Sequence, residues 1–178
     1  MAVALGLVFA FFAVAPAASA AWDIGFAPSV QVVVPCAAET AEDTADTFCA
    51  DALELINEKR AETGLAALEY SKELKAAADI RAADIRAKEA ATNFAHVRPD
   101  GQSVGTAFAE QGIVYKSAGE TLAHGYVAAT ELVDGWMNSE SHKNVLLNAG
   151  FTNAALGYYQ NSDGEVYCAL LLFTPTEG

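Results

Sequence analysis

The chain has 178 residues, of which 53% are hydrophobic, enough for one globular domain with a core, and this composition excludes an intrinsically disordered segment. It carries 23 acidic and 10 basic residues, for a formal net charge of −13. Such an acidic surface argues against binding to nucleic acid or to anionic lipid, because both carry the same sign of charge. It suits an extracellular solution, a cation or a basic partner instead.

Residues 1–20 are typical of a secretory signal peptide. An apolar run is followed by Pro16 and then by the sequence ASA, whose small residues fit cleavage before Ala21. No Lys or Arg precedes the apolar run, and the alternative is an uncleaved anchor of nearly membrane-spanning length. The proline and the small residues favour cleavage, so we expect a secreted protein without a stable membrane span.

Residues 21–46 form an acidic N-terminal segment rather than a domain. The run FAPSVQVVVP predicts one short strand that ends at Pro35. The run CAAETAEDTAD that follows is acidic and contains no basic residue, a composition typical of a solvated linker.

Three helices are predicted after this segment. The first covers residues 48–63 and stops at Gly64, which accepts the left-handed conformation. The second follows Ser71, a natural N-cap, and runs from residue 72 to about residue 90. The third covers residues 103–111 and comes after a turn at the sequence PDG.

The second half of the chain combines an extended segment, two helices and a hairpin. The run IVYKSAGETLAHGY is predicted to be extended, and helices are predicted at 128–138 and 141–147. The runs AALGYY and EVYCALLLF form a hairpin around a loop at 161–164. The last strand is nearly all apolar, so it should be central and covered on both faces. These elements indicate an α+β layered fold.

Five sequence motifs are each weak evidence for a family, but their order along the chain is specific. They are LELINEKRAETGLAALEYSKELKAAADIRAADI, FAHVRPDGQS, AGETLA, LVDGWMNSESHKNVLLNAGFTNAALGYY and VYCALLLF. Together they resemble a CAP domain, the domain of cysteine-rich secretory proteins, antigen 5 and pathogenesis-related 1 proteins, in its short bacterial SCP-like branch. The resemblance covers roughly residues 50–173. It implies a three-layer α-β-α sandwich with a central antiparallel sheet, in a domain at 47–175.

The resemblance also implies a cleft lined by two histidines and nearby acids. His96 in FAHVRPDG, Glu120 in AGET and His142 in WMNSESHKN match the family's positions. In several members the histidines bind a divalent metal, usually zinc, and two neutral imidazoles would form a partial zinc site with open positions for water. Glu120 would not bind the metal itself but would accept a hydrogen bond from a histidine ring N–H or from a bound water.

Each of these residues also has a structural explanation. His96 could orient the RPDG turn, Glu120 could satisfy backbone N–H groups of its own loop, and His142 could lie on a helix surface. His124 has no matching family position and is expected to be exposed or satisfied locally, with a lesser prospect of becoming a third ligand.

One acid of the family's cleft is missing from the sequence. Many members carry a second acid three residues after the tryptophan, and here that position is Ser139. Glu131 and Glu140 are near in sequence but out of register, and the sequence leaves open whether either one replaces the missing acid.

Three cysteines in an exported chain permit one disulfide. We predict Cys49–Cys168, with Cys36–Cys49 as the alternative and three reduced thiols as the remaining case. A bond between Cys49 and Cys168 would close a long loop and stabilise the fold by roughly 4 kcal/mol in the chain-entropy model.

The sequence therefore predicts a secreted CAP module, expected to be a monomer, whose cleft binds an extracellular lipid, cell-wall component or protein, with zinc as a candidate cofactor. The alternative function is a hydrolase. It would use Ser139 or Ser141 with His142 and Glu120, or a metal-bound water, but neither serine lies in a G-x-S-x-G elbow and zinc enzymes normally supply three protein ligands.

Overall fold

A four-stranded sheet forms the centre of the computed structural model, which describes residues 41–86 and 96–176. All of them belong to one compact unit, residues 38–178. No helix in this described part has the length and the apolar composition needed to cross a membrane. The elements within it are α1 (Ala41–Glu62), β1 (Glu69–Tyr70), α2 (Lys72–Arg86), α3 (Gly105–Glu110), β2 (Tyr115–His124), α4 (Ala129–Met137), α5 (Glu140–Leu146), β3 (Asn153–Gln160) and β4 (Val166–Pro175).

The strands lie in the order β1-β3-β4-β2. β4 pairs antiparallel with both β3 and β2, whereas β1 pairs parallel with β3, with Glu69 opposite Asn153. The predicted α+β fold with a central antiparallel sheet is confirmed. The short parallel pairing at its edge was not predicted, because two residues are too few to show a period.

The side chains of β4 alternate between the two faces of the sheet. Even-numbered residues from Val166 to Leu172 share a buried cluster with α1, α4 and α5. Odd-numbered residues from Tyr167 to Phe173 share buried clusters with α2 and α3. The last strand is therefore covered on both faces, as its continuous apolar sequence predicts, and the domain has three layers.

Several helix boundaries differ from those predicted. α1 begins at Ala41 rather than at residue 48, so it crosses the boundary drawn at residue 46, and the predicted linker is helical from residue 41 onward. Acidic residues near the start of a helix complement its positive end, so the composition that predicts a solvated linker also suits a first helical turn. α2 is described as far as Arg86, and its predicted end near residue 90 lies outside the described residues. The signal peptide and the strand before Pro35 lie outside them as well.

Both described cysteines are free thiols, so the predicted Cys49–Cys168 disulfide is absent from the structure. Cys49 on α1 and Cys168 on β4 are buried in the same apolar cluster. Burial raises the pKa of the Cys49 thiol to about 12, and burial and the neighbouring Cys49 raise the pKa of Cys168. Both thiols act as small buried hydrophobic groups. Cys36, in the alternative pairing, lies outside the described residues.

A buried arginine ties α1 to the end of α5. The Arg60 side chain is almost fully buried, and its guanidinium donates hydrogen bonds to the carbonyls of Ala66 at 2.9 Å, Leu146 at 2.7 Å, Asn148 at 3.0 Å and Phe151 at 3.3 Å. Burial lowers the pKa of Arg60, and the four carbonyls, together with an intrinsically high pKa, keep the guanidinium charged. The segment that leads from α5 into β3 is thereby held against α1.

Gly157 allows α2 to lie directly against β3. A Cβ atom at this position would overlap the main-chain carbonyl of Ala78 and lie 2.6 Å from the amide nitrogen of Asp79. The neighbouring amide of Tyr158 donates to the Asp79 carboxylate at 3.3 Å. The helix backbone and the strand backbone therefore meet with no side chain between them.

We expect Gly157→Ala to destabilise the domain by about 2 kcal/mol or more, because backbone atoms of α2 would have to move away from the sheet. Urea denaturation of the variant and the wild type measures the difference. Gly150→Ala is the matched control, since its new methyl would meet only the Asn148 side chain, at 3.0 Å. Equal stability of the two variants would contradict the close approach of α2 to β3.

Candidate functional site

Glu120 lies on the face of β2 that packs against α2. Its neighbour Gly119 points to the other face, where a Cβ would lie 2.8 Å from the ring of Phe151, so a larger residue does not fit before the acid. One carboxylate oxygen of Glu120 accepts a hydrogen bond from Arg81 Nε at 2.8 Å. The other lies 2.9 Å from His96 Nδ1. The structure thus brings two of the three predicted site residues into direct contact.

The three side chains differ sharply in exposure. The side chain of Arg81 is 0% exposed, that of Glu120 is 2% exposed and that of His96 is 66% exposed. A carboxylate is costly to bury without a partner, and Arg81 supplies that partner. Because the carboxylate is an acceptor, His96 Nδ1 is the donor in this contact, and whenever the ring is neutral its Nε2 is then a hydrogen-bond acceptor.

A chain of ion pairs continues from Arg81 to the turn after His96. Arg81 lies 3.3 Å from the Asp84 carboxylate, which also accepts from Arg98 at 2.8 Å. Arg98, in the RPDG motif, reaches Glu110 on α3 at 2.6 Å. The segment that carries His96 is therefore anchored to both α2 and α3.

Sequence reasoning missed the role of Arg81. The residue lies on a helix face that is otherwise small and apolar, beside the buried Ala77, Ala78 and Ala82. An arginine on such a face requires a buried partner, and this was the signal available in the sequence.

His142 lies in the first turn of α5 and is half-buried. Burial lowers the pKa of His142, and the nearby charge of His96 lowers it further. The two histidines therefore share one electrostatic environment, although His96 comes from a loop on the α2 side and His142 from a helix on the opposite side. His96 contacts Glu120 on β2 and His142 lines the cleft at the end of β2, which is an edge strand of the described sheet.

The position of the missing acid remains without a carboxylate. The hydroxyl of Ser139 lies 3.3 Å from that of Ser141, and the described residues contain no hydrogen bond from either serine to a histidine. Glu131 and Glu140 are both exposed.

A cleft of ≈ 450 Å³ lies between the end of β2, α4 and the start of α5. Trp136 lines this cleft, and its indole Nε1–H donates to the Leu122 carbonyl of the edge strand at 3.2 Å. The cleft is lined by His124, Tyr126, Gly135, Trp136, Ser139 and His142, with Leu122 and Ala123. Cavities of ≈ 570 and ≈ 630 Å³ lie along α1 and contain none of His96, Glu120 and His142.

His124 lines the same cleft as His142, a role that its sequence position did not predict. Its ring stacks on Tyr167 with centroids 4.5 Å apart. Its Nε2 lies 3.9 Å from the Glu165 carboxylate, which also accepts from the Tyr167 hydroxyl at 3.0 Å. The ring orientation is thus set by its neighbours.

The donors present fit a catalytic zinc ion poorly. Within residues 41–86 and 96–176 there is no group of three or more His, Cys, Asp or Glu side chains placed to hold a metal ion. Both oxygens of Glu120 are engaged by Arg81 and His96. His96 and His142 would be the ligands of any metal bound here, one fewer than catalytic zinc sites normally use.

We expect the pKa of His142 to lie below the ordinary histidine value of about 6.5 and to rise partway towards it in His96→Gln, because that variant removes one of its two causes. Because the pKa of His142 is lower in the folded protein than in the unfolded chain, its neutral form contributes stability above the unfolded pKa. This contribution is lost as the pH falls from the unfolded pKa through the lower folded pKa. Two-dimensional NMR of the imidazole nitrogens measures the titration of His142 in the wild type and in His96→Gln. Lys116→Gln, an exposed charge change elsewhere on β2, is the control, and an unchanged midpoint in His96→Gln would contradict the coupling.

The sequence model of the CAP family, described as the cysteine-rich secretory protein family, matches residues 53–173. Among curated relatives from Bacillus subtilis (strain 168), uncharacterized protein YkwD is 35% identical over 109 residues and uncharacterized membrane protein YlbC is 32% identical over 105. The alignments cover 61% and 59% of this chain but 41% and 30% of those proteins. The chain thus spans less than half the length of either relative.

Solved structures with the same fold include an extracellular protein containing an SCP domain from Bacillus anthracis, with a TM-score of 0.67 and 21% identity over 76% of this chain and 44% of that one. An outer surface protein from Borrelia burgdorferi has a TM-score of 0.63 and 21% identity, over 78% of this chain and 96% of that one. Identities at this level show the fold alone. Because the family model spans most of the chain and the fold agrees with it, this chain belongs to the CAP family of cysteine-rich secretory proteins.

Proposed function

We propose that this chain is an exported CAP-family protein that binds an extracellular ligand in the cleft beside His142 and does not catalyse a reaction. The observation that carries this proposal is the engagement of both Glu120 oxygens, by Arg81 and by His96. A general acid or base needs an oxygen that reaches the substrate, and Glu120 has none available. The acid therefore orients His96, which is a positioning role.

Hydrolysis is the weaker alternative. The Glu120–His96 pair favours it, because a carboxylate on Nδ1 leaves Nε2 able to accept a proton. A nucleophile is missing from this arrangement, since Ser139 and Ser141 bond to each other and no described serine bonds to His96 or His142. The metal-bound water of the hydrolytic alternative lacks a third protein ligand among the described residues.

Export is supported by the leader sequence and by the kind of protein that shares the fold. Residues 1–20 combine an apolar run with a small-residue cleavage site. The two similar structures are described as an extracellular protein and an outer surface protein. The strongly acidic composition is compatible with an extracellular solution and disfavours nucleic acid as a partner.

Ligand binding in the cleft is tested by NMR screening of the purified, ¹⁵N-labelled protein against fragments from three classes: neutral saccharides, short peptides and single-chain amphiphiles. We expect at least one class to shift the Trp136 indole and the His142 ring signals saturably, because both groups line the cleft. His142→Ala should weaken that binding. Lys143→Ala, a change at the next and exposed residue, should leave it unaltered.

Two further results of the same screen bear on the alternatives. Saturable zinc binding to the wild type but not to His142→Ala would indicate that the cleft is a metal site rather than a site for these fragments. Turnover of an ester or peptide fragment that disappears in His96→Gln would contradict the proposal that the cleft only binds. Shifts in neither reporter with any class would also contradict it.

A further inference from the structure

The lining of the cleft beside His142 is uncharged apart from its imidazoles. Its described residues include no Asp, Glu, Lys or Arg, although the chain carries 23 acidic and 10 basic residues. A ligand with a full charge would find no opposite charge among these side chains. The lining therefore matches a ligand without net charge.

The polar groups of this lining both donate and accept hydrogen bonds. Ser139 offers a hydroxyl, and His124 and His142 offer imidazole rings. A neutral imidazole has one donor and one acceptor nitrogen, and a hydroxyl has both functions on one atom. Sugar hydroxyls, which also donate and accept, are the complementary ligand groups.

Tyr126 contributes an aromatic ring to the lining of the cleft, and Gly135 limits where that ring lies. A Cβ at position 135 would lie 2.5 Å from the Tyr126 hydroxyl, 2.9 Å from Cζ and 3.2 Å from Cε1, so the phenol end of the ring rests against the bare backbone of α4. His124 is held in turn by its stack on Tyr167, with centroids 4.5 Å apart. Two rings are thus fixed in place before a ligand arrives, which lowers the entropic cost of binding.

The size of the cleft agrees with a small ligand. Its volume of ≈ 450 Å³ falls within the range of about 300–1,000 Å³ that is typical of small-molecule sites. Such a volume accommodates sugar rings and is too small for a protein segment with its own secondary structure.

We propose that the cleft binds a neutral saccharide unit of an extracellular glycan, which stacks on Tyr126 and hydrogen-bonds to Ser139, His124 and His142. The inference rests on the proposed function and names the ligand class for that same site. A hexose ring has an apolar face of C–H groups that packs against an aromatic ring and an equatorial rim of hydroxyls. The cleft offers one surface for the face and three polar side chains for the rim.

Titration of the purified protein with chitotriose, cellotriose and maltotriose tests this assignment, with NMR of the Trp136 indole and the histidine rings as the readout. We expect saturable binding of at least one trisaccharide. Tyr126→Phe should retain most of the affinity because the ring remains. Tyr126→Leu should lose it by about tenfold, in line with the contribution of an aromatic contact. Gly135→Ala should weaken binding as well, because the new methyl displaces Tyr126.

Tyr70→Ala is the matched control, since Tyr70 is 58% exposed on β1, at the opposite edge of the sheet. It should bind like the wild type. Absence of binding by all three trisaccharides, while peptides or amphiphiles shift the same signals, would overturn the saccharide assignment and leave the binding cleft intact. Equal affinities of Tyr126→Phe and Tyr126→Leu would overturn the stacking role. If no fragment class shifted these NMR signals, both the proposed function and this inference would be contradicted.

Discussion

The buried ion pair between Arg81 and Glu120 is the interaction on which the site depends. Each charge alone would cost several kcal/mol to bury, and each is compensated by the other at 2.8 Å. Removal of Arg81 would leave the buried Glu120 carboxylate without its cationic partner, at a cost of about 3–5 kcal/mol. The pair joins α2 to the edge strand β2, and it leaves one Glu120 oxygen for His96. The buried ion pair therefore holds the exposed His96 ring in place.

His142 reaches the same region by an independent route. Arg60 holds the end of α5 through main-chain carbonyls, with Leu146 O at 2.7 Å and Asn148 O at 3.0 Å. The helix that carries His142 is thus anchored to α1, whereas His96 is anchored to α2 and α3 through Arg98. The two layers of helices deliver one histidine each to the edge of the sheet between them. The fold accounts for how residues far apart in sequence come within electrostatic range of each other.

The sequence was most informative where a motif carries its own geometry. The fully apolar final strand predicts coverage on both faces, and the ordered motifs predict that His96, Glu120 and His142 belong to one region. Arg81 was overlooked because one arginine on an Ala-rich helix has no local signature, and its partner Glu120 is 39 positions away. His124 was expected to be exposed or satisfied locally, and its place in the cleft lining was not predicted because the contact of Tyr126 with Gly135, which shapes the cleft, depends on packing between elements. The start of α1 was missed since an acidic, Ala-rich run fits a solvated linker as well as a first helical turn.

The tautomer of His96 tests the central claim most directly, because it reports whether the buried Arg81–Glu120 pair positions this ring. Long-range ¹H–¹⁵N NMR at a pH where the ring is neutral distinguishes a proton on Nδ1 from a proton on Nε2. We predict the Nδ1–H form, with Glu120 as its acceptor at 2.9 Å. Free histidine favours the Nε2–H form, and finding that form at His96 would mean that the ring is not held by Glu120 and that the preformed site does not exist.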